Sequence, residues 1–282
     1  MKILVTGGNG FIGSNLIRKL AELGHEVVSI DDLSNGSTNN EIRQAAYMYD
    51  DIEKVAYFDG SEVDVCFHLA ALSRIQPSFQ YPSEFFRVNT KGTEIVADWA
   101  SQYNIKLIYA GSSSIHNDPL NSPYATYKAL GENIIQMYKK SFGLDAHIAR
   151  FYNVYGPLEP EEGEFASVIG KWLGNIKRKE SIQIVGTGAQ TRDFTHVDDI
   201  VDGLIKIMDY DKDDNNVWEL GTGFPYSILE LSKLFVEKFN CKVEHIDNQP
   251  GNYKDSYRVD DKAIRLLEWG PANILTQYIN SL

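Results

Sequence analysis

Short apolar runs and helix-like repeats alternate along the first half of the chain. The run Lys2–Thr6 predicts a strand, and Phe11–Leu23 carries apolar residues at helical spacing until Gly24. The same alternation predicts further elements: strand Glu26–Ile30, strand Val63–Leu69, helix Ser83–Tyr103, strand Ile105–Ala110, helix Tyr124–Phe142 and strand Leu144–Phe151. Strands that alternate with helices indicate an α/β fold, with a doubly wound parallel sheet covered by helices on both faces.

Two parts of the chain depart from this rhythm. The stretch from Asn35 to Tyr57 is weakly patterned, and we predict a loop there. After Pro157 the strand and helix patterns follow one another less regularly. The elements predicted beyond it are helix Phe165–Lys179, strand Ile182–Val185, helix Asp198–Met208, strand Val217–Leu220, helix Ser227–Phe239, strand Lys242–Ile246 and a terminal helix. We therefore predict two parts, residues 1–157 and 158–282, with some exchange of chain between them; the second is a smaller mixed α/β lobe.

Composition narrows the class of protein. The 282 residues are 43% hydrophobic, and no apolar run reaches the roughly 18 residues that span a bilayer. The net charge of −12 argues against a nucleic-acid partner. Two cysteines, Cys66 and Cys241, provide neither a disulfide framework nor a metal set, and they favour the cytoplasm. Because the first strand is needed for the fold, we do not expect the N-terminus to be a signal peptide.

A glycine-rich turn separates the first strand from the first helix. Gly7, Gly10 and Gly13 allow a sharp turn and a close approach of the backbone to a pyrophosphate, and the helix N-terminus then faces the anion. Asp31 ends the next strand, where a carboxylate can bind an adenosine ribose and repel a 2′-phosphate. This context predicts a Rossmann-type site for NAD rather than NADP; the alternative is a glycine turn with a capping aspartate.

Tyr124 and Lys128 lie four residues apart in a predicted helix, and therefore on one face of it. A free phenol has a pKa near ~10, but a neighbouring ammonium and an oxidised nicotinamide both favour phenolate, which can act as a general base. The alternative is an ordinary surface pair. Ser112 follows a strand at the sheet edge where ligands bind, and His68 is followed by small residues that a cofactor ring could approach.

With these features, the chain resembles an extended short-chain dehydrogenase/reductase of the NAD-dependent nucleotide-sugar epimerase/dehydratase family. The resemblance spans nearly the whole chain. The segments that carry it are Thr6–Gly13, His68–Ala71, Val88–Thr93, Tyr109–Ser114, Pro123–Lys128, Arg150–Pro157 and Gly186–Asp199.

The resemblance implies a role for each matching residue. Tyr124 would be the base, Lys128 would hold the nicotinamide ribose, and Ser112 would bridge substrate and Tyr124. The implied NAD site comprises Gly7, Gly10, Phe11, Ile12, Gly13, Asp31, Leu69, Ala70, Ala71, Asn89, Tyr124, Lys128 and Tyr152, with Tyr152 facing the nicotinamide. The implied substrate site comprises Ser112, Ser113, Asn153, Arg192 and Ser256, with Asn153 and Arg192 on the diphosphate and Ser256 beside the sugar's 2-substituent. For Arg192, the alternative is a salt bridge with Asp193 or Asp199.

Several positions depart from the family pattern. His116 and Asn117 stand where the family usually has Tyr-Gly, and Gln249 stands where it usually has a diphosphate-binding arginine. Dehydratases of the family usually carry Asp-Glu after the catalytic Ser/Thr, whereas this chain has Ser113 and Ser114.

The resemblance therefore implies a nucleotide-sugar epimerase that acts at C4 through a transient 4-keto sugar. A 4,6-dehydratase, a reductase and a decarboxylase are the alternative reactions, and an NAD-sensing protein without activity is the alternative of another class. A homodimer through helices Ser83–Tyr103 and Tyr124–Phe142 is also implied.

Overall fold

The computed structural model describes residues 1–212 and 216–282, and a parallel sheet forms its centre. Within these residues the sheet has seven strands, in the spatial order β11-β6-β5-β4-β1-β2-β3. Their bounds are β1 Lys2–Thr6, β2 Glu26–Asp31, β3 Ala45–Tyr49, β4 Val65–His68, β5 Lys106–Ser112, β6 Ala146–Phe151 and β11 Val217–Leu220. The predicted doubly wound α/β fold is confirmed.

Helices cover both faces of this sheet. Those of the first half are α1 Phe11–Glu22, α2 Ile75–Gln80, α3 Pro82–Phe86, α4 Thr93–Tyr103 and α5 Pro123–Phe142. The later ones are α6 Val168–Lys177, α7 Val197–Met208, α8 Ile228–Phe239, α9 Lys262–Leu267 and α10 Leu275–Ser281. None of the helices in the described ranges is long and apolar enough to cross a membrane.

The strand β1 shows why the sheet is buried on both sides. Ile3 and Val5 belong to the core cluster on the α1 and α7 face, whereas Leu4 belongs to the cluster on the α4 and α5 face. All three side chains are fully buried. Because successive side chains of a strand point to opposite faces, a run without polar interruptions fits only a strand covered twice. Each such side chain stabilises the fold by roughly 1.5–3 kcal/mol.

A smaller set of elements lies beyond the carboxyl ends of the strands. It contains three two-stranded pairs, which are β7 Val154–Tyr155 with β10 Thr195–His196, β8 Ile182–Val185 with β13 Val243–Ile246, and β9 Thr191–Asp193 with β12 Pro225–Ser227. Helices α6, α8 and α10 pack around a separate core in which Trp172 and Phe235 meet edge to face at 5.2 Å.

Two elements after residue 157 return to the central sheet. Strand β11 pairs with β6, and α7 packs on α1 and β5. The sheet is therefore completed by a part of the chain that lies between elements of the smaller lobe.

The prediction of a loop from Asn35 to Tyr57 is wrong. This stretch contains β3 and a 3₁₀ turn, Ile52–Tyr57. Strand β3 is an edge strand whose side chains are half-buried or exposed, so its sequence lacks the strong apolar alternation of a buried strand.

The predicted helix Ser83–Tyr103 is interrupted. Helices α3 and α4 are joined by a π-helical turn, Arg87–Gly92. Such a turn keeps helical backbone geometry and therefore leaves the apolar spacing almost unchanged, although it often marks a functional site.

Candidate active site

A cleft of about 1010 Å³ lies across the carboxyl ends of the strands, next to the smaller lobe. Most of the predicted site residues line it. They are Gly7, Gly10, Phe11, Ile12, Gly13, Asp31, Leu69, Ala70, Ala71, Ser112, Ser113, Tyr124, Lys128, Asn153 and Arg192. Asn89, Tyr152 and Ser256 do not belong to its lining.

The glycine turn between β1 and α1 packs against the loop that follows β4. Gly7 has φ of +72°, and a Cβ there would lie 2.7 Å from the backbone nitrogen of Ala70. A Cβ on Gly13 would overlap the carbonyl oxygen of Gly7. Glycine at these positions therefore lets the turn pack closely against the loop after β4 and against itself at the α1 N-terminus, where free N–H groups attract an anion. The turn therefore fits a bound pyrophosphate.

A buried chain of hydrogen bonds fixes the loop opposite this turn. Thr6 Oγ1 lies 2.8 Å from His68 Nδ1 and accepts a hydrogen bond from the Ala70 amide at 3.2 Å. His68 Nε2 lies 3.1 Å from Thr93 Oγ1. Burial lowers the pKa of His68 to about 3, so this imidazole is neutral and has a structural role rather than an acid–base one.

Asp31 ends β2 at the predicted ribose end of the cleft. Its carboxylate accepts hydrogen bonds from the backbone amides of Asn9 at 2.9 Å and Leu33 at 2.8 Å. Burial raises the pKa of Asp31, and these two hydrogen bonds act in the opposite direction. Since a carboxylate can accept about four hydrogen bonds, Asp31 retains capacity for ribose hydroxyls.

Tyr124 and Lys128 project from the first turns of α5 towards the end of β5. The Tyr124 hydroxyl donates to Ser112 Oγ at 3.3 Å, and Lys128 Nζ donates to the carbonyl oxygen of Ala110 at 2.9 Å. Ser122 caps the helix by accepting from the Ala125 amide. The geometry therefore brings together the three residues predicted to be catalytic.

Burial changes the acid–base properties of this pair. It lowers the pKa of Lys128 to about 8, with the charge of Glu132 opposing it, and it raises the pKa of Tyr124, with the Ser112 hydrogen bond opposing it. An additional positive charge is needed to make Tyr124 an effective base near neutral pH. An oxidised nicotinamide would supply such a charge.

Asn89 lies behind the cleft rather than in its wall. Its side chain accepts from the Leu72 amide and donates to the Leu72 carbonyl oxygen, both at 2.8 Å. Asn89 lies in the π-helical turn, so this turn holds the loop that carries Ala70 and Ala71. The structure therefore indicates a positioning role for Asn89.

The structure places Tyr152 away from the cleft and its neighbour Phe151 in the lining. The Tyr152 hydroxyl donates to Glu219 at 2.6 Å, and the residue is fully buried. Because side chains alternate at the end of a strand, two neighbouring aromatic residues point in opposite directions. Of these two neighbours, only Phe151 lines the cleft.

Ser256 lies in a separate, smaller cavity behind the serine turn. Its hydroxyl is 3.4 Å from Ser113 Oγ, and only 4% of the residue is exposed. Ser113 itself lines both cavities. Ser256 can therefore act on a bound sugar only through Ser113 or by closing this smaller cavity.

Arg192 lies at the end of the cleft opposite the glycine turn. Its guanidinium donates to the carbonyl oxygens of Thr191 and Tyr253 and to Asn252 Oδ1, and it stacks 4.1 Å from the Tyr253 ring centroid. Burial lowers its pKa.

The two carboxylates considered as alternative partners of Arg192 are engaged elsewhere. Asp193 accepts from Thr222, and Asp199 accepts from Asn273. Asn153 has φ of +25° and donates to the carbonyl oxygen of Asp193, which brings it close to the Arg192 strand.

Sequence reasoning missed three cations that line the cleft, Arg74, Lys171 and Arg178. Arg74 follows His68-Leu69-Ala70-Ala71 by three residues, and Lys171 lies on α6. The signal available in the sequence was the position of Arg74 in a loop after a buried strand, where binding residues concentrate. Lys171 gave no such signal, because a lysine on an amphipathic helix usually faces solvent.

Comparison with known proteins agrees with this geometry. Residues 3–221 match the model of the NAD dependent epimerase/dehydratase family. The chain belongs to that family. A putative UDP-glucose 4-epimerase of Methanocaldococcus jannaschii is 32% identical, over 95% of this chain and 93% of that protein.

Solved structures agree as well. The UDP-glucose 4-epimerase of Thermotoga maritima, with UDP-glucose, superposes with a TM-score of 0.93 at 28% identity, over 99% of this chain and 96% of that chain. The UDP-glucuronic acid 4-epimerase of Bacillus cereus, in complex with UDP-glucuronic acid and NAD, gives 0.88 at 26% identity, with the same two coverages. A dTDP-D-glucose 4,6-dehydratase of Bos taurus is 27% identical, over 96% of this chain and 84% of that protein.

These relatives confirm the family, an enzyme of the epimerase/dehydratase class and NAD as the cofactor. They do not separate epimerisation from dehydration. The roles of the individual site residues remain predictions.

The first prediction concerns the base. Tyr124→Phe keeps the ring but removes the oxygen that transfers the proton, so turnover should fall roughly 10²–10⁴-fold. NAD content of the purified protein should be unchanged. Steady-state kinetics and NAD released on denaturation measure the two effects, and near-normal turnover would remove Tyr124 from the mechanism.

The second prediction concerns cofactor choice. Asp31→Ala removes ribose hydrogen bonds and the repulsion of a 2′-phosphate, so NAD should bind more weakly and lose part of its advantage over NADP. Titration of both cofactors measures this. The exposed Asp247→Ala changes the net charge equally and should have no effect; a wild type that binds NADP more tightly than NAD would contradict the assignment.

Proposed function

We propose that this enzyme epimerises a nucleotide-diphosphate sugar at C4 through a transient 4-keto intermediate. The observation that carries the proposal is the Tyr124 hydroxyl, 3.3 Å from Ser112 Oγ, with Lys128 buried beside it. This arrangement provides one base next to the reacting hydroxyl. The following positions, Ser113 and Ser114, carry hydroxyls that cannot replace the acid and base that dehydration needs.

The chain's own residues would move one proton. Tyr124 takes the proton of the 4-hydroxyl group, and Ser112 aligns that hydroxyl. When bound, NAD would supply the hydride acceptor and donor for this redox chemistry. Ala110 is the one acceptor found for Lys128 Nζ among the residues the structure describes, so its other two N–H donors can hold ribose hydroxyls. Tyr124 then returns its proton once the keto sugar has turned over and been reduced on its other face.

Arg192 and Asn153 would hold the diphosphate. Both line the cleft away from the glycine turn, and the guanidinium of Arg192 is fixed by Asn252 and Tyr253. A fixed guanidinium can bind phosphate oxygens through two hydrogen bonds. Anchoring at this end leaves the sugar free to present either face at Tyr124, as epimerisation requires.

The alternatives differ in what happens after the first oxidation. A dehydratase or decarboxylase shares that step with an epimerase, and a reductase uses the reverse hydride transfer. An NAD-sensing protein would not need Tyr124 hydrogen-bonded to Ser112 with Lys128 bound to the neighbouring strand at Ala110. Their geometry supports an enzyme of the epimerase type.

We also propose a homodimer in the cytoplasm. Helices α3, α4 and α5 expose large apolar side chains, among them Phe86, Tyr103, Leu130, Met137 and Phe142. Exposed apolar side chains on adjacent helices mark an interaction surface. The two cysteines are both free thiols, as in proteins of a reducing compartment.

Mass spectrometry of the products tests the reaction. Incubation with UDP-, GDP-, CDP- and dTDP-sugars should convert at least one of them into an isomer of the same mass that chromatography separates. Tyr124→Phe protein is the control and should give no product. Loss of one water would identify a dehydratase, loss of CO₂ a decarboxylase, and a gain of two hydrogens a reductase; no conversion of any sugar would favour the NAD sensor.

A further inference from the structure

Arg74 is held in the cleft wall by its backbone and by one hydrogen bond. It has φ of +81°, which is rare for a residue with a side chain, and its Nε donates to the carbonyl oxygen of Phe165 at 2.9 Å. Within residues 1–212 and 216–282, no carboxylate lies within 4.0 Å of Arg74 and its two terminal nitrogens have no hydrogen-bond partner. They therefore remain available to a ligand in the cleft.

Arg74 lies on the catalytic side of the cleft. Phe165, to which it is bonded, stacks on Phe85 at 6.4 Å, and Phe85 meets the Tyr124 ring edge to face at 6.4 Å. The charge of Arg74 also reaches Tyr124, since it helps to lower a pKa that burial raises. Arg74 is therefore linked to Tyr124 through two aromatic contacts, and both residues line the cleft.

A second cation lies near Arg74, on α6. The Lys171 amide donates to the carbonyl oxygen of Ser167, two residues after Phe165. Desolvation lowers the pKa of Lys171, and the charge of Arg74 lowers it further. Both residues line the cleft, and an anion bound beside them would be attracted by both positive charges.

Neighbouring carboxylates offset the charge of this pair only in part. Burial raises the pKa of Glu159 to about 8, so it is mostly protonated at neutral pH, and one of its oxygens contacts Ser167 Oγ. Glu161 and Glu162 are engaged with Lys177 and Arg178 at 2.6 and 2.8 Å. Glu164 is exposed and opposes the lowering of the Lys171 pKa.

The pair is separate from the proposed diphosphate site. Arg192 lies on β9 and is held by Thr191, Asn252 and Tyr253, whereas Arg74 lies in the loop after β4 and is held by Phe165. The cleft thus has one cationic end at Arg192 and another cationic region beside Tyr124. A neutral sugar on a diphosphate would use only the first.

We propose that Arg74, with Lys171, binds a carboxylate on the sugar ring, so that the preferred substrate is a nucleoside-diphosphate uronic acid. This inference rests on the proposed function. In a hexuronate the carboxylate is attached to C5, next to C4, whereas the diphosphate is attached to C1 across the ring. With C4 at Tyr124 and the diphosphate at Arg192, the carboxylate falls on the Tyr124 side of the cleft.

The test is isothermal titration calorimetry with NAD-loaded protein and two ligands, UDP-glucuronic acid and UDP-glucose. Tyr124→Phe serves as the background, so that neither ligand is turned over. We expect UDP-glucuronic acid to bind at least roughly 10-fold more tightly. Arg74→Gln should weaken it by roughly 10–100-fold, as for a charge-assisted pair, and change UDP-glucose less than about threefold.

Three further variants in the same background act as controls. Arg74→Lys keeps the charge and should retain part of the preference. Arg192→Gln should weaken both ligands by similar factors, because both carry the diphosphate. Arg265→Gln, an exposed arginine paired with Asp261, should leave both affinities unchanged.

The outcomes separate the inference from the proposed function. If Arg74→Gln weakens the binding of both ligands equally, Arg74 would be assigned to the diphosphate. That result would overturn the inference but not the proposed function. The inference alone would also be overturned if the two ligands bound with equal affinity. If the background protein fails to bind UDP-glucuronic acid, the inference is overturned; the proposed function itself is overturned only if the wild type also converts none of the UDP-, GDP-, CDP- and dTDP-sugars.

Discussion

The buried ammonium of Lys128 is the constraint on which the site depends. A cation in the protein interior is costly unless it is hydrogen-bonded and paired. Here it is compensated by the Ala110 carbonyl oxygen at 2.9 Å, the Tyr109 ring at 5.0 Å and the charge of Glu132. These contacts fix α5 against β5, and thereby place Tyr124 at Ser112.

A buried ion network extends this arrangement to the later part of the chain. Arg150 on β6 lies between Glu132 on α5 at 2.7 Å and Glu219 on β11 at 2.8 Å. Hydrogen bonds from His116, Tyr152 and Arg150 lower the pKa of Glu219 although burial would raise it. The strand contributed by the later part of the chain therefore stabilises the catalytic helix. The same network includes His116 and Tyr152, because both side chains are hydrogen-bonded to Glu219.

Much of this fold could be predicted from the sequence because it depends on local signals. The strands of the buried sheet and the glycine turn are specified by apolar runs and by backbone geometry, and both were found. Strand β3 was not, because an edge strand needs no strong alternation. The predicted catalytic pair shares one face of α5, because helix periodicity brings Tyr124 and Lys128 together without any tertiary information.

The remaining site residues depend on tertiary contacts that spacing does not encode. Which of Phe151 and Tyr152 faces the cleft depends on the strand's register, and Glu219, some 67 residues later, is the partner that holds Tyr152. Arg74 enters the cleft because its backbone adopts a positive φ and Phe165 holds its side chain. Ser256 is separated from the cleft by Ser113.

We propose that Tyr124, acting as the one base, and a single hydride that is taken up and returned by NAD invert C4 within the cleft. A convertible nucleotide sugar carrying deuterium at C4 tests it most directly, with the product analysed by nuclear magnetic resonance. We expect the product to have inverted configuration at C4 and to retain the deuterium there. When an unlabelled substrate is converted in deuterated solvent, the product should gain no deuterium at C4. Loss of the label to water, or inversion at another carbon, would contradict the account.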